Sequence, residues 1–301
     1  ILQGKSVRPE LQRPRYLSSA AMRGRPARVF TTPTSRIVIV KGMCDMPDLI
    51  TLSNLGVKVA RKLAASIPKS RLHFHEDVED CENAVPFART ADLVGELFPK
   101  TDGMIFIGPC GVMVRAVAPR LRSKLLDPPV VVVDVNGRFA VSLLSGHEGG
   151  ANDLSLTIAN LLGAEPVITT TSDAARTVII GVGCRRGCAA QSIIEAVRYA
   201  LAKASIAPDE VRFIASADIK ADEPGLKQAA AELGIPLRLI SSDEIRACTR
   251  DFSSTPLAQK EVNLPAVAEP VALLAGRRTS LILPKTIRNS VTVAIAQENC
   301  L

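Results

Sequence analysis

The sequence predicts an α/β protein with two α/β domains, each containing a mixed, largely parallel sheet flanked by helices. Short β-branched runs such as Val130–Asp134 alternate along the chain with stretches of helical spacing. Small-residue turns such as Pro109–Gly111 join strands to helices. The 301 residues are 47% hydrophobic and 22% charged, which is enough apolar material for two cores.

Three ranges are predicted from this pattern. Residues 1–35 are basic, contain proline and lack a hydrophobic period, so we interpret them as a processed or poorly ordered extension, with a transit-like role as the alternative. Residues 36–175 form the first domain and residues 176–301 the second. No apolar run reaches the roughly 18 residues of a membrane span, so we expect a soluble protein.

Charge and cysteine content restrict the function. The net charge of +7 comes from 37 Lys and Arg against 30 Asp and Glu. Aromatic residues are 3% and Trp is absent, so stacking platforms for single-stranded nucleic acid are poorly supplied, and a multiply anionic small molecule fits the charge equally well. The seven cysteines are odd in number and contain no C-x-x-C, which predicts reduced thiols in the cytoplasm.

The first domain begins with a predicted strand at 37–40 and a helix from Leu55 to Leu63. A short strand is predicted at Leu72–His75, and its alternation puts His73 and His75 on one face. Two imidazoles on one face could share a metal, but no third ligand has suitable spacing. We therefore favour a solvated edge strand and predict no metal site.

A strand, a turn and a helix follow. Gly103–Gly108 predicts a buried strand, and a helix is expected from Val112 to Leu121. A small-residue turn between such elements is the usual geometry of a ligand crevice at the carboxyl edge of a parallel sheet. Gly108 and Gly111 are therefore candidate ligand contacts.

The next unit is a predicted hairpin. Val130–Asp134 reads as a central strand, and Asn136-Gly137 is a strong hairpin signal between two apolar runs. Residues 139–143 should therefore return antiparallel. This hairpin delivers the following loop, residues 145–150, to the rim of the sheet.

That loop holds His147 and Glu148, followed by two glycines. Asn152 or Asp153 is predicted to cap a helix over 151–162. The loop thus offers an imidazole, a carboxylate and helix N-terminal N–H groups together.

The remaining elements continue the alternation. Strands are predicted at 166–169, 177–183, 211–215, 237–240, 281–285 and 291–295, and helices at 189–203, 224–233, 243–248 and from 267. The glycines of 181–187 do not have the dinucleotide-binding spacing. A structural turn explains them as well as ligand binding does, and Arg185 and Arg186 at a helix N-terminus favour carboxylate binding. Cys184 and Cys188 are either reactive or, as is commoner, small buried thiols.

Several of these segments resemble the CbiG family, the cobalt-precorrin-5A hydrolases of anaerobic cobalamin biosynthesis. The resemblance to the family's N-terminal domain lies in Gly103–Gly111, Val130–Asp134, Leu143–Asn152 and Pro166–Thr170. The resemblance to its C-terminal domain lies in Gly181–Gly187, Ala268–Pro270 and Leu283–Lys285. Together these cover roughly residues 36–296. Members usually carry a segment between the domains, whereas here Thr171–Ala174 runs almost directly into the second.

The resemblance implies a hydrolase acting on a carbon–carbon bond. Its reaction opens the δ-lactone of cobalt-precorrin-5A and releases the C20 carbon with its methyl group as acetaldehyde, giving cobalt-precorrin-5B. His147 is the expected general base, and Glu148 orients it or takes the base role itself. N–H groups around 149–152 would stabilise the oxyanion.

The resemblance also implies substrate contacts and partners. The expected contacts are Ser145, Gly146, Gly149, Gly150, Asn152, Gly108, Gly111, Gly183, Cys184, Arg185, Arg186, Glu269 and Lys285. The expected partner is an anionic cobalt corrinoid, whose carboxylates the excess positive charge of the chain would attract. Cobalt travels with the substrate, so no enzyme-bound cofactor is expected. Neighbouring pathway enzymes and a homodimer are further expected partners, whereas nucleic acid and membrane are not.

Two other classes of function remain open. The absent middle segment keeps a non-catalytic corrinoid-binding or carrier protein as the main alternative. The glycine turns suggest a phosphate- or nucleotide-binding protein, but the chain has neither a P-loop lysine motif nor a dinucleotide fingerprint.

Overall fold

A computed structural model describes residues 46–254 and 263–300. These residues belong to one compact unit, Arg36–Leu301, which contains two separate sheets. The predicted extension at 1–35, the predicted strand at 37–40 and Cys44 lie outside the described residues. No helix in the described segments is long and apolar enough to cross a membrane.

The first sheet has seven strands in the described part of the chain. They are β1 (Asp48–Thr51), β2 (Arg71–His75), β3 (Ala84–Phe87), β4 (Met104–Ile107), β5 (Val130–Val133), β6 (Phe139–Leu144) and β7 (Glu165–Val167). Their order is β3-β2-β1-β4-β5-β6-β7. Strands β1 to β5 are mutually parallel, and β6 is antiparallel to β5 but parallel to β7.

Helices cover both faces of this sheet. They are α1 (Asn54–Ser66), α2 (Thr90–Leu97), α3 (Cys110–Val117), α4 (Ala151–Leu162) and the short α5 (Thr171–Ala174). Leu63 of α1 and Ile158 of α4 are fully buried in one cluster, while Val94 of α2 and Met113 of α3 are fully buried in another. Apolar residues at helical spacing thus sandwich the β-branched strands.

The second sheet contains β8 (Val178–Gly183), β9 (Val211–Ala217), β10 (Leu237–Ile240), β11 (Thr279–Arg288) and β12 (Val291–Glu298). Its helices are α6 (Ala190–Ala204), α7 (Pro224–Leu233), α8 (Ser242–Arg246) and α9 (Ala268–Leu274). The strand order is β10-β9-β8-β12-β11, with β8 to β10 parallel and β12 antiparallel to both neighbours. The predicted fold class, two mixed and largely parallel sheets flanked by helices, is confirmed.

Four elements of the first sheet and its helices differ from the prediction. The sequence pattern missed β1, β3 and α2, and it made 72–75 an edge strand. In the structure β2 lies between β1 and β3, and Phe74 is fully buried. The true edge strand, β3, contains Pro86, which weakens a strand pattern but is tolerated at an edge.

The predicted hairpin is confirmed, and Asp134 holds its turn. The carboxylate of Asp134 accepts hydrogen bonds from the backbone N–H groups of Asn136 (3.2 Å), Arg138 (2.6 Å) and Phe139 (2.9 Å). Gly137 takes a positive φ of 67°. Burial raises the pKa of Asp134, but the hydrogen bonds from Phe139 and Arg138 outweigh it, so the pKa is lowered overall.

The antiparallel hairpin decides which edge of the sheet receives the histidine loop. Leu144 pairs with Val130, so residues after β6 lie at the edge where the parallel strands begin. The N–H of Gly108 donates to the carbonyl of Val133, 2.9 Å away, at the opposite edge. The four residues of β5 separate these edges by about 10 Å.

Helix α4 joins the two sheets by pairing with the open edge of β10. Asn160 Oδ1 accepts from the N–H of Leu239 (2.9 Å), and Asn160 Nδ2 donates to the carbonyl of Leu237 (2.8 Å). Arg238 Nη2 donates to the carbonyl of Ala164 at 2.6 Å, and burial lowers the pKa of Arg238 to about 10. The side chain of Asn160 therefore takes the place of a neighbouring strand at the open edge of β10.

We expect Asn160→Ala to lower the free energy of unfolding by about 1–3 kcal/mol, because two backbone groups of β10 lose their partner. Urea unfolding followed by circular dichroism measures the change. Gln191→Ala is the control, since the amide of Gln191 bonds Glu195 on an exposed face of α6 and its loss should cost less than about 0.5 kcal/mol. Equal stability of the two variants would contradict the joining role of Asn160.

Candidate functional site

The loop between β6 and α4 is a tight turn built on Ser145. Ser145 is buried with a positive φ of 57°, and its carbonyl accepts from the N–H groups of Gly149 (3.1 Å) and Ala151 (3.2 Å). A Cβ on Gly149 would lie 2.4 Å from Ser145 Cβ. Gly150 has a φ of 90°. The turn therefore requires the glycines that follow the His-Glu pair.

The predicted cap of α4 is wrong. Gly150 is the N-cap, and Asn152 and Asp153 lie inside the helix, because the positive φ of Gly150 lets α4 begin earlier. The buried side chain of Asn152 donates to Thr170 Oγ1 (2.6 Å) and accepts from Ser142 Oγ (2.8 Å). This predicted substrate contact instead fastens the loop to the segment that leads into the second sheet.

Three of the four predicted oxyanion donors are already engaged. The N–H groups of Gly149 and Ala151 bond the carbonyl of Ser145, and the N–H of Asn152 bonds the carbonyl of Gly146 at 3.0 Å. These three groups stabilise the turn itself. In this arrangement of the loop these three groups are not open to a substrate oxyanion, and the oxyanion role of the loop stays a prediction.

His147 and Glu148 project from this turn and are both exposed. The carboxylate of Glu148 forms an ion pair with Lys124. The hydrogen bond from Lys124 lowers the pKa of Glu148. A carboxylate held ionised in this way is a weak base, so the structure favours an anchoring role for Glu148 over a base role.

Asp153 is a second carboxylate near His147 and was predicted only as a cap. The residue is exposed to solvent on one side and lines a small cavity on the other. Burial raises the pKa of Asp153, and the neighbouring Asp173 raises it further, while His147 opposes the shift. The two carboxylates that flank His147 thus have pKa values displaced in opposite directions, a pattern typical of acid–base sites.

A small cavity of about 30 Å³ lies beside Asp153, where α4 meets the beginnings of β9 and β10. Its lining comes from both sheets and consists of Asn152, Asp153, Leu156, Ile168, Asp173, Arg176, Arg212, Phe213 and Pro236. A space of this size holds one or two water molecules. The sequence did not reveal it, because it exists only where the two sheets meet.

The turn at residues 122–127 also supports the His147 loop. Ser145 Oγ donates to the carbonyl of Asp127, 2.8 Å away. The buried carboxylate of Asp127 accepts from the N–H groups of Arg122 (3.1 Å) and Ser123 (3.2 Å). Sequence reasoning missed this turn, although Asp127 precedes a Pro-Pro pair, which is a turn signal.

Gly108 and Gly111 lie at the opposite edge of the first sheet. A Cβ on Gly108 would come within 2.8 Å of the ring of Phe106, and one on Gly111 within 3.2 Å of Arg115 Nη1. Packing accounts for the absence of a side chain at Gly108. The structure does not bring these two glycines to the His147 loop.

The predicted contacts of the second sheet are also remote. Strand β8 begins beside the cavity, where Val178 pairs with Val211, and runs for about 16 Å before Gly183. Cys184 and the exposed Arg185 and Arg186 lie beyond its end. Arg185 and Arg186 therefore lie at the opposite end of β8 from the cavity, and their carboxylate-binding role stays a prediction.

Strand β8 and the turn after it have structural reasons for their residues. A Cβ on Gly181 would lie 1.9 Å from the first carbonyl of α9, so this glycine permits helix packing. The N–H of Gly187 donates to Glu223 Oε1 at 2.9 Å. Burial raises the pKa of Cys184 to about 11, which favours the interpretation of an unreactive thiol.

Glu269 and Lys285 form a contact of their own. Glu269 is buried, and its carboxylate accepts from the N–H groups of Ser253 (2.5 Å) and Lys285 (2.9 Å). Lys285 Nζ donates to the carbonyl of Ser254 at 3.2 Å. The carboxylate of Glu269 therefore holds neighbouring backbone and is not open to a ligand.

The two histidines of β2 have separate protein partners. His73 Nε2 lies 2.7 Å from Asp48 Oδ1, and His75 Nε2 bonds the carbonyl of Ala88 at 2.8 Å. Across residues 46–254 and 263–300, no group of three or more His, Cys, Asp or Glu could hold a metal ion.

Comparison with protein families agrees with this architecture. Residues 92–173 match the model described as Cobalamin synthesis G N-terminal, and residues 178–296 match Cobalamin synthesis G C-terminus. With the fold described above, these two matches define an α/β protein of cobalamin synthesis. The chain belongs to the CbiG family.

Named relatives extend this result. The chain is 25% identical to the cobalt-precorrin-5A hydrolase of Salmonella typhimurium (strain LT2) over 344 aligned residues, covering 82% of this chain and 97% of that protein. Because 82% of a 301-residue chain cannot fill that alignment, the relative carries internal residues that this chain lacks. Protein CobE of Sinorhizobium sp is 31% identical over 42% of this chain and 83% of its own length. The solved structure of a CobE covers 40% of this chain and 90% of its own, with a TM-score of 0.38 and 31% identity.

We expect Gly149→Ala to open the His147 loop, because its methyl group would collide with Ser145. Hydrogen exchange of residues 145–151 should become faster. Gly163→Ala at the other end of α4 is the control, since a Cβ there meets nothing within 4 Å, although its φ of 74° is strained. If the loop exchanges equally in both variants, the steric role of Gly149 is wrong.

We expect Asp153→Asn to raise the melting temperature at pH 7. Because the pKa of Asp153 is raised in the folded state, the free energy of unfolding falls as the pH rises through the shifted pKa. The uncharged amide of asparagine removes that loss. The gain should vanish below about pH 4, where aspartate is protonated in both states. Thermal unfolding at both pH values measures this, with the exposed Asp209→Asn as control. A lower melting temperature at pH 7 would contradict the raised pKa.

Proposed function

We propose that this chain is a cobalt-precorrin-5A hydrolase that opens the δ-lactone of its substrate and breaks a carbon–carbon bond to release acetaldehyde. Water adds to the ester carbonyl, and its oxygen remains in the new carboxylate. The freed alkoxide oxygen becomes the aldehyde oxygen. The electron pair of the broken carbon–carbon bond passes to the macrocycle, which takes up a proton.

The observation that carries this proposal is the match of residues 92–173 and 178–296 to the two CbiG models, with the His147 loop inside the first matched range. Two relatives bear the name cobalt-precorrin-5A hydrolase, from Salmonella typhimurium and Priestia megaterium, and the chain covers 97% and 94% of them. Both names agree with the hydrolase class expected from the sequence.

His147 is the general base of the proposed reaction. Imidazole accepts a proton near neutral pH, and the exposed side chain of His147 can meet a water beside a bound macrocycle. Asp153 lies near enough to interact with His147 electrostatically. A carboxylate in that position would stabilise the imidazolium that forms when His147 takes the proton.

The proposal needs no cofactor bound by the protein, since cobalt arrives inside the substrate. The substrate is an anionic corrinoid, and the seven excess positive charges of the chain suit it. A cytoplasmic location suits the cysteines of the described residues, which are all free thiols. Neighbouring pathway enzymes and a second copy of the chain remain proposed partners.

We expect His147→Ala to slow acetaldehyde release from cobalt-precorrin-5A by about 100-fold to 10,000-fold, because the attacking water loses its base. Trapping of acetaldehyde and mass spectrometry of the corrinoid measure the rate and the product. His75→Ala is the matched control, since His75 lies on β2 away from the loop and bonds the carbonyl of Ala88. An unchanged rate in His147→Ala would remove the main assignment.

A second candidate function is corrinoid binding without catalysis. Two observations favour it: the relatives carry internal residues that this chain lacks, and part of the chain is 31% identical to CobE. Under this function the purified chain would bind one corrinoid per molecule and release no acetaldehyde. The same mass spectrometry experiment distinguishes the two candidates.

A further inference from the structure

Three leucines stand exposed beside the His147 loop. Leu121, Leu125 and Leu126 are 48%, 73% and 75% exposed, and they fall within six residues of one another. Single exposed leucines are ordinary, but a cluster of apolar side chains next to a candidate site indicates a binding surface. We call residues 121–126 the leucine turn.

The leucine turn is an ordered element. The carboxylate of Asp127 accepts from Arg122 and Ser123, and the N–H of Leu126 donates to the carbonyl of Ser123 at 3.0 Å. Ser123 Oγ also accepts from the N–H of Leu125 at 3.2 Å. Because these hydrogen bonds order the backbone, the leucines are already exposed in a fixed turn. Binding a ligand would therefore cost little conformational entropy of the turn.

The same turn is fixed to the histidine loop at two points. Ser145 Oγ donates to the carbonyl of Asp127, and Lys124 pairs with Glu148. Glu148 is adjacent to His147 in the chain. A molecule bound on the leucines would therefore lie beside the imidazole of His147.

The charges around the leucines restrict what that molecule can be. Arg122 and Lys124 are exposed members of the same turn, and since Lys124 already pairs with Glu148, Arg122 is the cation assigned to a ligand. An occupant that suits both features has a broad apolar face and carboxylates around its rim, which is the chemistry of a polycarboxylate tetrapyrrole macrocycle. A second copy of the chain fits less well, because three leucines supply far less than the roughly 800 Å² per partner of a stable interface.

We infer that the leucine turn is the platform on which the apolar face of an anionic tetrapyrrole rests beside His147. This inference rests on the proposed function and adds the residues that hold its substrate. Leu125 and Leu126 supply the apolar contact, and Arg122 faces the carboxylate rim. None of these residues belongs to the contacts expected from the sequence.

The test is a double variant, Leu125→Ser with Leu126→Ser. Cobyrinic acid containing cobalt is the binding probe, measured by isothermal titration calorimetry, and cobalt-precorrin-5A is used for kinetics. We expect the dissociation constant and KM to rise about 10-fold to 100-fold, with kcat changed less than about threefold. Ile287→Ser is the matched control, because Ile287 is 71% exposed on β11 of the other sheet. Methionine at both leucine positions should restore binding.

The outcomes separate this inference from the proposed function. If the wild-type chain releases no acetaldehyde but binds cobyrinic acid through the leucines, the hydrolase proposal fails and the platform stands. If acetaldehyde is released and the double variant keeps its KM and dissociation constant, the platform is wrong. It is also overturned if the wild-type chain does not bind the probe, if Ile287→Ser weakens binding equally, or if the double variant changes only the oligomeric state.

Discussion

The buried amide of Asn152 is the interaction on which the arrangement of the site depends. It accepts from Ser142 at the end of β6 and donates to Thr170 and to Asp173 Oδ2. A buried amide without partners would cost about 1–3 kcal/mol, so each bond also fixes the geometry of the others. The result is that one side chain links the end of the hairpin, the start of α4 and the segment leading to the second sheet.

The fold was predictable wherever a local signal decided it. Asn136-Gly137 predicts the hairpin because few residues other than glycine accept the backbone of that turn, and the bounds of α4 follow from its apolar period. Strand β3 was missed because it is short, half exposed and contains Pro86. The N-cap of α4 was predicted wrongly because Gly150, with a left-handed backbone, occupies the cap position and no side chain caps the helix.

The candidate site was predictable only in its local part. His147 and Glu148 could be selected from the sequence, since they stand in a glycine-flanked loop after a strand. The role of Asp153 depends on Asp173, twenty residues later, and on how α4 meets β9. The position of Arg185 and Arg186 relative to His147 was not predictable for a related reason: the direction of β8 is set by tertiary packing, and no local pattern encodes it.

The joint between the two sheets is short, and its position has a consequence for the family. Residues 171–176 pass directly beside Asp153 and contribute Asp173 and Arg176 to the cavity. Any chain inserted at this joint would emerge at the mouth of the cavity, within reach of whatever His147 meets. A longer connection at this joint would therefore place its added residues beside Asp153, next to the cavity wall that α4 and the start of β9 share.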